Sequence, residues 1–519
     1  MADALPRTAG VAIVGAGAMG AGIAQVAAEA GHHVVLADVR AGAAAAAVDA
    51  LRVRLRELAI NGRITQHTAD TASERLHAAP ALDACADAGL VIEAIFEDLS
   101  AKRELLRALD GLVDESTIIA SNTSTLSITA IAAGSRFPRR VAGMHFFNPA
   151  PLMPLVEIVS GLATDAQVAA TLFATAAAWR KTPVHARSTP GFIVNRCARP
   201  FYGEALRLLA ERAADAATLD VVMRECGGFR MGPFELMDLI GLDVNLAATQ
   251  SVWTGYANDP RFAPSFVQRE MVDGGLLGRK SGRGFHDYAP GAAAPLPSTE
   301  PAYPPAARVV VYGDLGPAAA LVARMQDGGA RIEFAEGRSP LSHAAQGVIG
   351  VGGAWLALTD GRTATARAAA TGARDLVVFD LALDFARCTR TAIARADSCS
   401  DVAFAAAVGA LQVAGLAVSR LDDVAGLAVM RTVCMLANEA ADAAKEGIAS
   451  PEAIDLAMQK GVGYPRGPLA WAEAIGSSNV GEVLANLAAH YGEDRYRTSP
   501  WLARRIAGIV PAEDGRHGG

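Results

Sequence analysis

A histidine and a glutamate twelve residues apart carry the clearest chemistry in this chain. His145 lies in His145-Phe146-Phe147-Asn148-Pro149, which reads as the end of a strand. Glu157 lies in Leu155-Val156-Glu157-Ile158-Val159, a strand pattern with a carboxylate inside an apolar run. A carboxylate so placed needs a partner, because burying it alone is expensive. Pairing with His145 would fix the imidazole tautomer and raise its basicity, as a general base requires. Taken alone, the two residues fit a buried structural ion pair equally well.

A second motif changes that balance. Gly15-Ala16-Gly17-Ala18-Met19-Gly20 follows an expected strand and opens an expected helix. Gly15 permits a tight turn, Gly17 lets the backbone approach a pyrophosphate, and Gly20 lets helix pack on strand. The N–H groups at the helix start, around Ala18 and Met19, would bind the anion. Asp38 stands 18 residues beyond Gly20, at the end of the second strand. There it would accept hydrogen bonds from ribose hydroxyls and repel a 2′-phosphate, which points to NAD. Ser121-Asn122-Thr123-Ser124-Thr125 sits at another strand end and could bind a ligand or cap a helix. Pro190-Gly191-Phe192-Ile193-Val194-Asn195-Arg196 opens a helical stretch, with Asn195 placed to point back at the crevice.

The elements that must hold these residues alternate. Strands are expected at 11–14, 34–37, 90–93, 118–121 and 141–146, and helices at 18–30, 43–58 and 100–109. Such alternation implies an α/β domain with a parallel sheet covered on both faces. At 519 residues the chain is long enough for three or four domains at roughly 100–200 residues each. The expected division is a Rossmann-type domain over 1–188, a helical domain over 189–288 and a proline-rich linker over 289–307. A reduced Rossmann-like domain over 308–421 and a second helical domain over 422–519 follow.

The helical blocks repeat. Residues 191–241 align without a gap on 426–476, with 14 of 51 positions identical. The matches include Arg196 with Arg431, Glu204 with Glu439, Asp220 with Asp455, and Gly232-Pro233 with Gly467-Pro468. Alanine bias does not place arginine, glutamate and Gly-Pro in register, so the chain is read as an internal duplication.

Composition excludes several classes. Net charge is −7 with no run of Lys or Arg, which argues against nucleic-acid binding. The six cysteines have neither CxxC nor zinc spacing, so no metal is expected and a reducing, cytoplasmic setting is. Residues 8–28 are uncharged but are broken by Gly10, Gly15, Gly17, Gly20 and Gly22, so a membrane span is not expected.

These motifs, in this order, closely resemble the 3-hydroxyacyl-CoA dehydrogenase family, over nearly the whole chain except the linker. The long form resembles the dehydrogenases of phenylacetate catabolism. The resemblance implies NAD as cofactor and oxidation of a (3S)-3-hydroxyacyl-CoA, 3-hydroxyadipyl-CoA or 3-hydroxybutyryl-CoA. It implies His145 as catalytic base, Glu157 as its partner, Ser124 beside substrate and nicotinamide, and Asn195 orienting substrate. It also implies cofactor contacts at Glu97, Lys102, Asn148 and Lys280. One correspondence fails: short members carry a serine and a lysine on the helix after the second strand that touch coenzyme A, and here the stretch reads Arg52, Arg54 and Arg56, which can bind phosphates without individual assignment. In the second copy Asn195 aligns with Met430, and Gly313-Asp314-Leu315-Gly316-Pro317 replaces the glycine turn. One active site is therefore expected, in either a homodimer or a pseudo-dimeric monomer. A lysine-dependent β-hydroxyacid dehydrogenase and an NAD-binding structural protein of the same family are the alternatives. The first lacks the His145 motif, and the second predicts damage to the four site residues, all of which are present.

Overall fold

The computed structural model describes residues 2–336, 341 and 347–508, so the end of the second expected helical domain, 509–519, lies outside the described residues. The first sheet has eight strands: β1 (Gly10–Val14), β2 (Val34–Ala37), β3 (Leu76–Ala79), β4 (Ala88–Glu93), β5 (Ile118–Ser121), β6 (Val141–Phe146), β7 (Leu155–Ser160) and β8 (Thr182–Arg187). Their order is β3-β2-β1-β4-β5-β6-β7-β8. The expected strands and helices all form, and the helix Ala18–Ala30 has the expected bounds. β6 is buried along its whole length, as a central strand covered on both faces must be.

The sheet departs from the parallel expectation at one edge. β7 runs antiparallel to β6, and β8 runs parallel to β7, so the last two strands are reversed. The loop 147–154 is shorter than the dozen or so residues a parallel crossover needs, which dictates the reversal.

The second sheet comprises β9 (Arg308–Tyr312), β10 (Arg331–Ala335), β11 (Val348–Val351), β12 (Ala354–Leu358), β13 (Leu376–Phe379), β14 (Arg390–Arg395) and β15 (Ala417–Arg420). Its order is β10-β9-β11-β12-β13-β14-β15, with β11 antiparallel to both neighbours. Here too the pair β13–β14 is antiparallel and β14–β15 parallel. The proline-rich stretch 289–307 has no strand or regular helix but is fastened: Glu300 N–H donates to Val418 O at 2.8 Å and Tyr303 N–H to Gln412 Oε1 at 2.9 Å.

The chain packs into two compact units, Met1–Arg196 with Glu446–Val462, and Cys197–Lys445 with Gly463–Gly519. In the first unit the helix Pro451–Gly461 packs on β7 and β8. In the second unit the helix Ala216–Glu225, its counterpart in the duplication, packs on β14. Arg187 N–H bonds Ile448 O at 2.9 Å in the first unit, and Asp422 N–H bonds Ala213 O at 2.8 Å in the second. These two bonds occupy the same places of the repeat. Each sheet is thus covered by a helix from the other copy.

Candidate active site

The glycine turn has the geometry its sequence demands. Gly15 has φ +110, and a Cβ there would press into the Ala94 carbonyl. A Cβ at Gly20 would overlap the Gly15 carbonyl oxygen, so helix and turn touch directly. A Cβ at Gly17 meets nothing within 4 Å, which leaves room over the helix start. Gly17 is the N-cap and brings no side chain to the first-turn N–H groups of Ala18–Ala30. Those donors face an anion's place.

Asp38 follows β2 directly. Its carboxylate accepts from Ala16 N–H at 2.8 Å and from Arg40 N–H and Nε at 2.9 and 3.0 Å. The Arg40 guanidinium holds the carboxyl well below the usual carboxylate range. A cleft of about 1040 Å³ opens here, lined by Gly15, Gly17, Asp38, Val39, Ile95 and Phe96. Val39 and Phe96 are exposed at its rim, 93% and 71%, as apolar walls for a flat base would be. The turn, the cleft and the carboxylate fit a dinucleotide such as NAD.

His145 and Glu157 are directly opposite on the antiparallel pair β6–β7. His145 Nδ1 lies 2.6 Å from Glu157 Oε2. Glu157 is fully buried, and its Oε1 accepts from Ile193 and Val194 N–H, both at 3.0 Å. Every contact to Glu157 thus comes from an N–H. With Nδ1–H donating to it, a neutral His145 carries its lone pair on Nε2. The rings of Phe147 and Phe192 flank the imidazole at 4.5 and 5.9 Å between centroids.

The turn after β5 is tied to this pair. Asn122 Oδ1 accepts from Phe146 N–H at 2.8 Å, next to His145. Asn195 Nδ2 donates to Ser124 O at 3.3 Å, so the structure brings Ser124 and Asn195 together. Glu97 organises the turn: its Oε1 takes Thr123 Oγ1 at 2.6 Å, Thr125 Oγ1 at 2.9 Å, and the N–H groups of Ser124 and Thr125 at 3.1 Å. Burial pushes Glu97 up, but the bonds from Thr123 and Thr125 and the charge of Lys102 outweigh it and leave it below its ordinary value.

Other expected contacts sit differently. Lys102 is only 1% exposed, with its ammonium 2.9 and 2.8 Å from Glu93 and 3.4 Å from Glu97. Its place is behind the Ser124 turn. Asn148 is exposed beyond the end of β6. Lys280, in the second compact unit, holds Asp243 at 2.5 and 2.7 Å. Arg54 and Arg56 are exposed on the helix Ala43–Ile60, whereas Arg52 is turned back to the carbonyls of Ser73 and Leu76 at 3.4 and 2.9 Å. Sequence reasoning missed Arg40 and Glu93, and it placed Asn122 in a ligand-binding or capping cluster without seeing its bond to Phe146 N–H. A carboxylate ending β4 was the available signal for Glu93, which also accepts a bond from Ser121 Oγ.

The second copy holds the same positions with other residues. At the offset of the helical repeat, His145 falls on Asp380 and Glu157 on Ala392. Asp380 N–H bonds Ala392 O at 2.9 Å, so the strand pairing is kept while the chemistry is gone. Asp380 accepts instead from Leu381, Ala428, Val429 and Met430 N–H, at 2.8 to 2.9 Å. Burial pushes its carboxyl up to about 6 against those four bonds.

A nucleotide-binding sheet with a carboxylate-oriented imidazole at its strand ends defines a nicotinamide-dependent dehydrogenase. Residues 10–189 match the 3-hydroxyacyl-CoA dehydrogenase NAD binding domain, and 191–288 and 426–508 match the C-terminal domain of the same family. Residues 356–424 match the 3-hydroxybutyryl-CoA dehydrogenase reduced Rossmann-fold domain. The chain is 42% identical to the 3-hydroxyadipyl-CoA dehydrogenase of Escherichia coli K12, over 95% of this chain and 97% of that protein. It is 41% identical to a probable 3-hydroxybutyryl-CoA dehydrogenase of Bacillus subtilis, over 54% of this chain and 96% of that one. A crystal structure of 3-hydroxybutyryl-CoA dehydrogenase from Escherichia coli K12 superposes with a TM-score of 0.87 at 41% identity, covering 97% of this chain and 99% of that one. The chain belongs to the 3-hydroxyacyl-CoA dehydrogenase family, as an NAD-dependent enzyme of that class.

Proposed function

We propose that the protein oxidises a (3S)-3-hydroxyacyl-CoA to the 3-oxoacyl-CoA with His145 as general base. The observation that carries this is the 2.6 Å contact from His145 Nδ1 to a buried Glu157, which leaves Nε2 as the proton acceptor. NAD⁺ held by Gly15, Gly17, Ala18, Met19, Gly20 and Asp38 supplies the hydride acceptor. His145 Nε2 takes the proton of the 3-hydroxyl, which contributes roughly 10²–10⁴-fold. Glu157 steadies the imidazolium that forms. Ser124 and Asn195, joined through the Ser124 carbonyl, hold the substrate oxygen as its charge changes. Glu97 and Lys102 act by fixing the Ser124 turn. Asn148 and Lys280 are proposed as further cofactor contacts, and Arg54 and Arg56, with Arg52 behind them, as the coenzyme A phosphate site.

The proposed substrate is 3-hydroxyadipyl-CoA, on the likeness to the Escherichia coli relative of that name along nearly its full length. All six cysteines are buried and outside any disulfide, which supports a reducing, cytoplasmic setting. Among the described residues no helix is long and apolar enough to cross a membrane. The exchanged helices on β7, β8 and β14 favour a pseudo-dimeric monomer over a homodimer, which sedimentation tests. The decisive experiment is NADH production by His145→Gln from 3-hydroxyadipyl-CoA and 3-hydroxybutyryl-CoA. Turnover should fall by roughly 10²–10⁴-fold with NAD⁺ affinity unchanged. Near-normal turnover would overturn the base, and a higher kcat/KM of the wild type for the four-carbon thioester would overturn the substrate.

A further inference from the structure

The backbone that donates to Glu157 is held in an unfavourable shape. Gly191 has φ +77 and Phe192, a non-glycine residue, has φ +46. A left-handed conformation at a bulky residue persists only where the surroundings over-determine it. One anchor is Glu157 itself, which takes the N–H groups of Ile193 and Val194. A second lies three residues on, where Arg196, only 2% exposed, grips Glu446 with Nη1 at 2.6 Å and Nη2 at 3.1 Å. This is a two-pronged guanidinium–carboxylate contact of the strong, directional kind. Glu446 belongs to the second half of the chain, directly after the helix Val429–Lys445. Its segment is fixed in turn by the Arg187 N–H bond to Ile448 O.

Asn195 stands between the two anchors. We infer that Glu446 is a positioning residue for the His145–Glu157 pair, acting through Arg196 on the N–H groups that hold Glu157 and on the amide of Asn195. The inference rests on the assignment of His145 as base. Glu446 touches no reacting atom, and its effect is on aim.

The second copy shows what the same device does without the chemistry. Gly426 and Leu427 repeat the turn with φ +77 and +52. Asp380 takes the N–H groups there, and Arg431 grips Glu211 at 3.0 and 3.1 Å. Glu211 is the repeat counterpart of Glu446. Asp380 occupies the place of His145, so that position of the repeat carries no imidazole. Glu211 therefore serves as an internal control for a purely structural loss.

The test compares Glu446→Ala, Glu446→Gln and Glu211→Ala in the full chain, by steady-state kinetics across pH and by thermal unfolding. A misplacement of about 1 Å in a catalytic group costs up to 10²-fold. Glu446→Ala should therefore lose about 10- to 100-fold in kcat while KM for NAD⁺ stays put, because the glycine turn is untouched. Glu446→Gln keeps the shape and one acceptor and should lose less. Glu157, relieved of firm N–H donors, should pull harder on Nδ1–H and stabilise the imidazolium, so the acid limb of kcat/KM should move to higher pH. Glu211→Ala should lower the melting temperature with kcat and pH profile unchanged. A Glu446→Gln enzyme that melts lower but keeps wild-type kcat and pH profile overturns the inference, as does Glu211→Ala matching Glu446→Ala in kcat. Activity retained by His145→Gln would sink the base assignment instead, whatever Glu446 does.

Discussion

Replacing Glu157 by glutamine separates orientation from mere presence of the dyad. Glu157 receives three N–H bonds, two at Oε1 and one at Oε2. The amide oxygen of glutamine can keep the two from Ile193 and Val194. Its NH₂ group must then face His145 Nδ1, where a donor meets a donor. The imidazole resolves the conflict by moving its proton to Nε2, and the base loses its lone pair at the substrate. A correct base contributes roughly 10²–10⁴-fold, and a wrong tautomer costs up to about 10⁴-fold in a serine protease triad. A fall in kcat of about 10³-fold is expected, or about 4 kcal/mol at 1.36 kcal/mol per decade. Stability should fall by only about 1–2 kcal/mol, because two of the three bonds survive. The assay is NADH formation from the 3-hydroxyacyl-CoA, with melting measured in parallel. A Glu157→Gln enzyme within about threefold of wild type in kcat would refute the tautomer argument, since the expected range begins at 10².

The remaining expectations concern the nucleotide turn and pH. Gly17→Ala should fold normally, since its Cβ meets nothing within 4 Å, yet raise KM for NAD⁺ by filling the place of the pyrophosphate; Gly20→Ala should instead lower the melting temperature, since its Cβ overlaps the Gly15 carbonyl. Titration calorimetry and thermal melts distinguish the two. In the first helical block His286 Nε2 lies 2.7 Å from Asp220. Burial pushes His286 down, but the bond and charge of Asp220, with Asp238 and Glu235, outweigh it and leave the imidazole above 6.5. Its stabilising contribution is then fully present below pH 6.5 and is lost as pH rises through the raised value. Stability measured by denaturant should therefore decline from about pH 6.5 upward, and a His286→Gln variant whose slope is unchanged would count against this pair as the source.

What could be read from the sequence was what depends on local pattern. The glycine turn, the helix behind it and the strands of His145 and Glu157 follow from spacing and apolar periodicity. The reversal of β7 and β8 was legible in principle from the short loop 147–154, but neither strand announces a direction. Glu446 was not legible, and neither were the partners of Glu93 and Asn122, because the fold joins them through space. The duplication was visible in the helical blocks through Arg196 and Arg431, whose buried guanidinium groups each make a two-pronged contact with a carboxylate. Between the strands β6 and β7 and their counterparts β13 and β14 only Ile158 and Ile393 coincide, so the correspondence of His145 with Asp380 emerges from hydrogen-bond register.

The segment Glu446–Val462, which completes the unit that holds the dyad, also sets a timetable. Arg196 and Glu446 are separated by 250 residues. At about 5–20 residues per second, synthesis spends on the order of 12–50 s between them. Throughout that interval the nascent β7 and β8 have the helix Ala166–Ala178 packed on them but lack Pro451–Gly461. The first copy therefore emerges as an unfinished half that awaits its own C-terminal sequence. On the proposed role of Glu446, full catalytic competence waits for this segment, and chaperone protection would matter most in the gap between the first sheet and the helix that closes it.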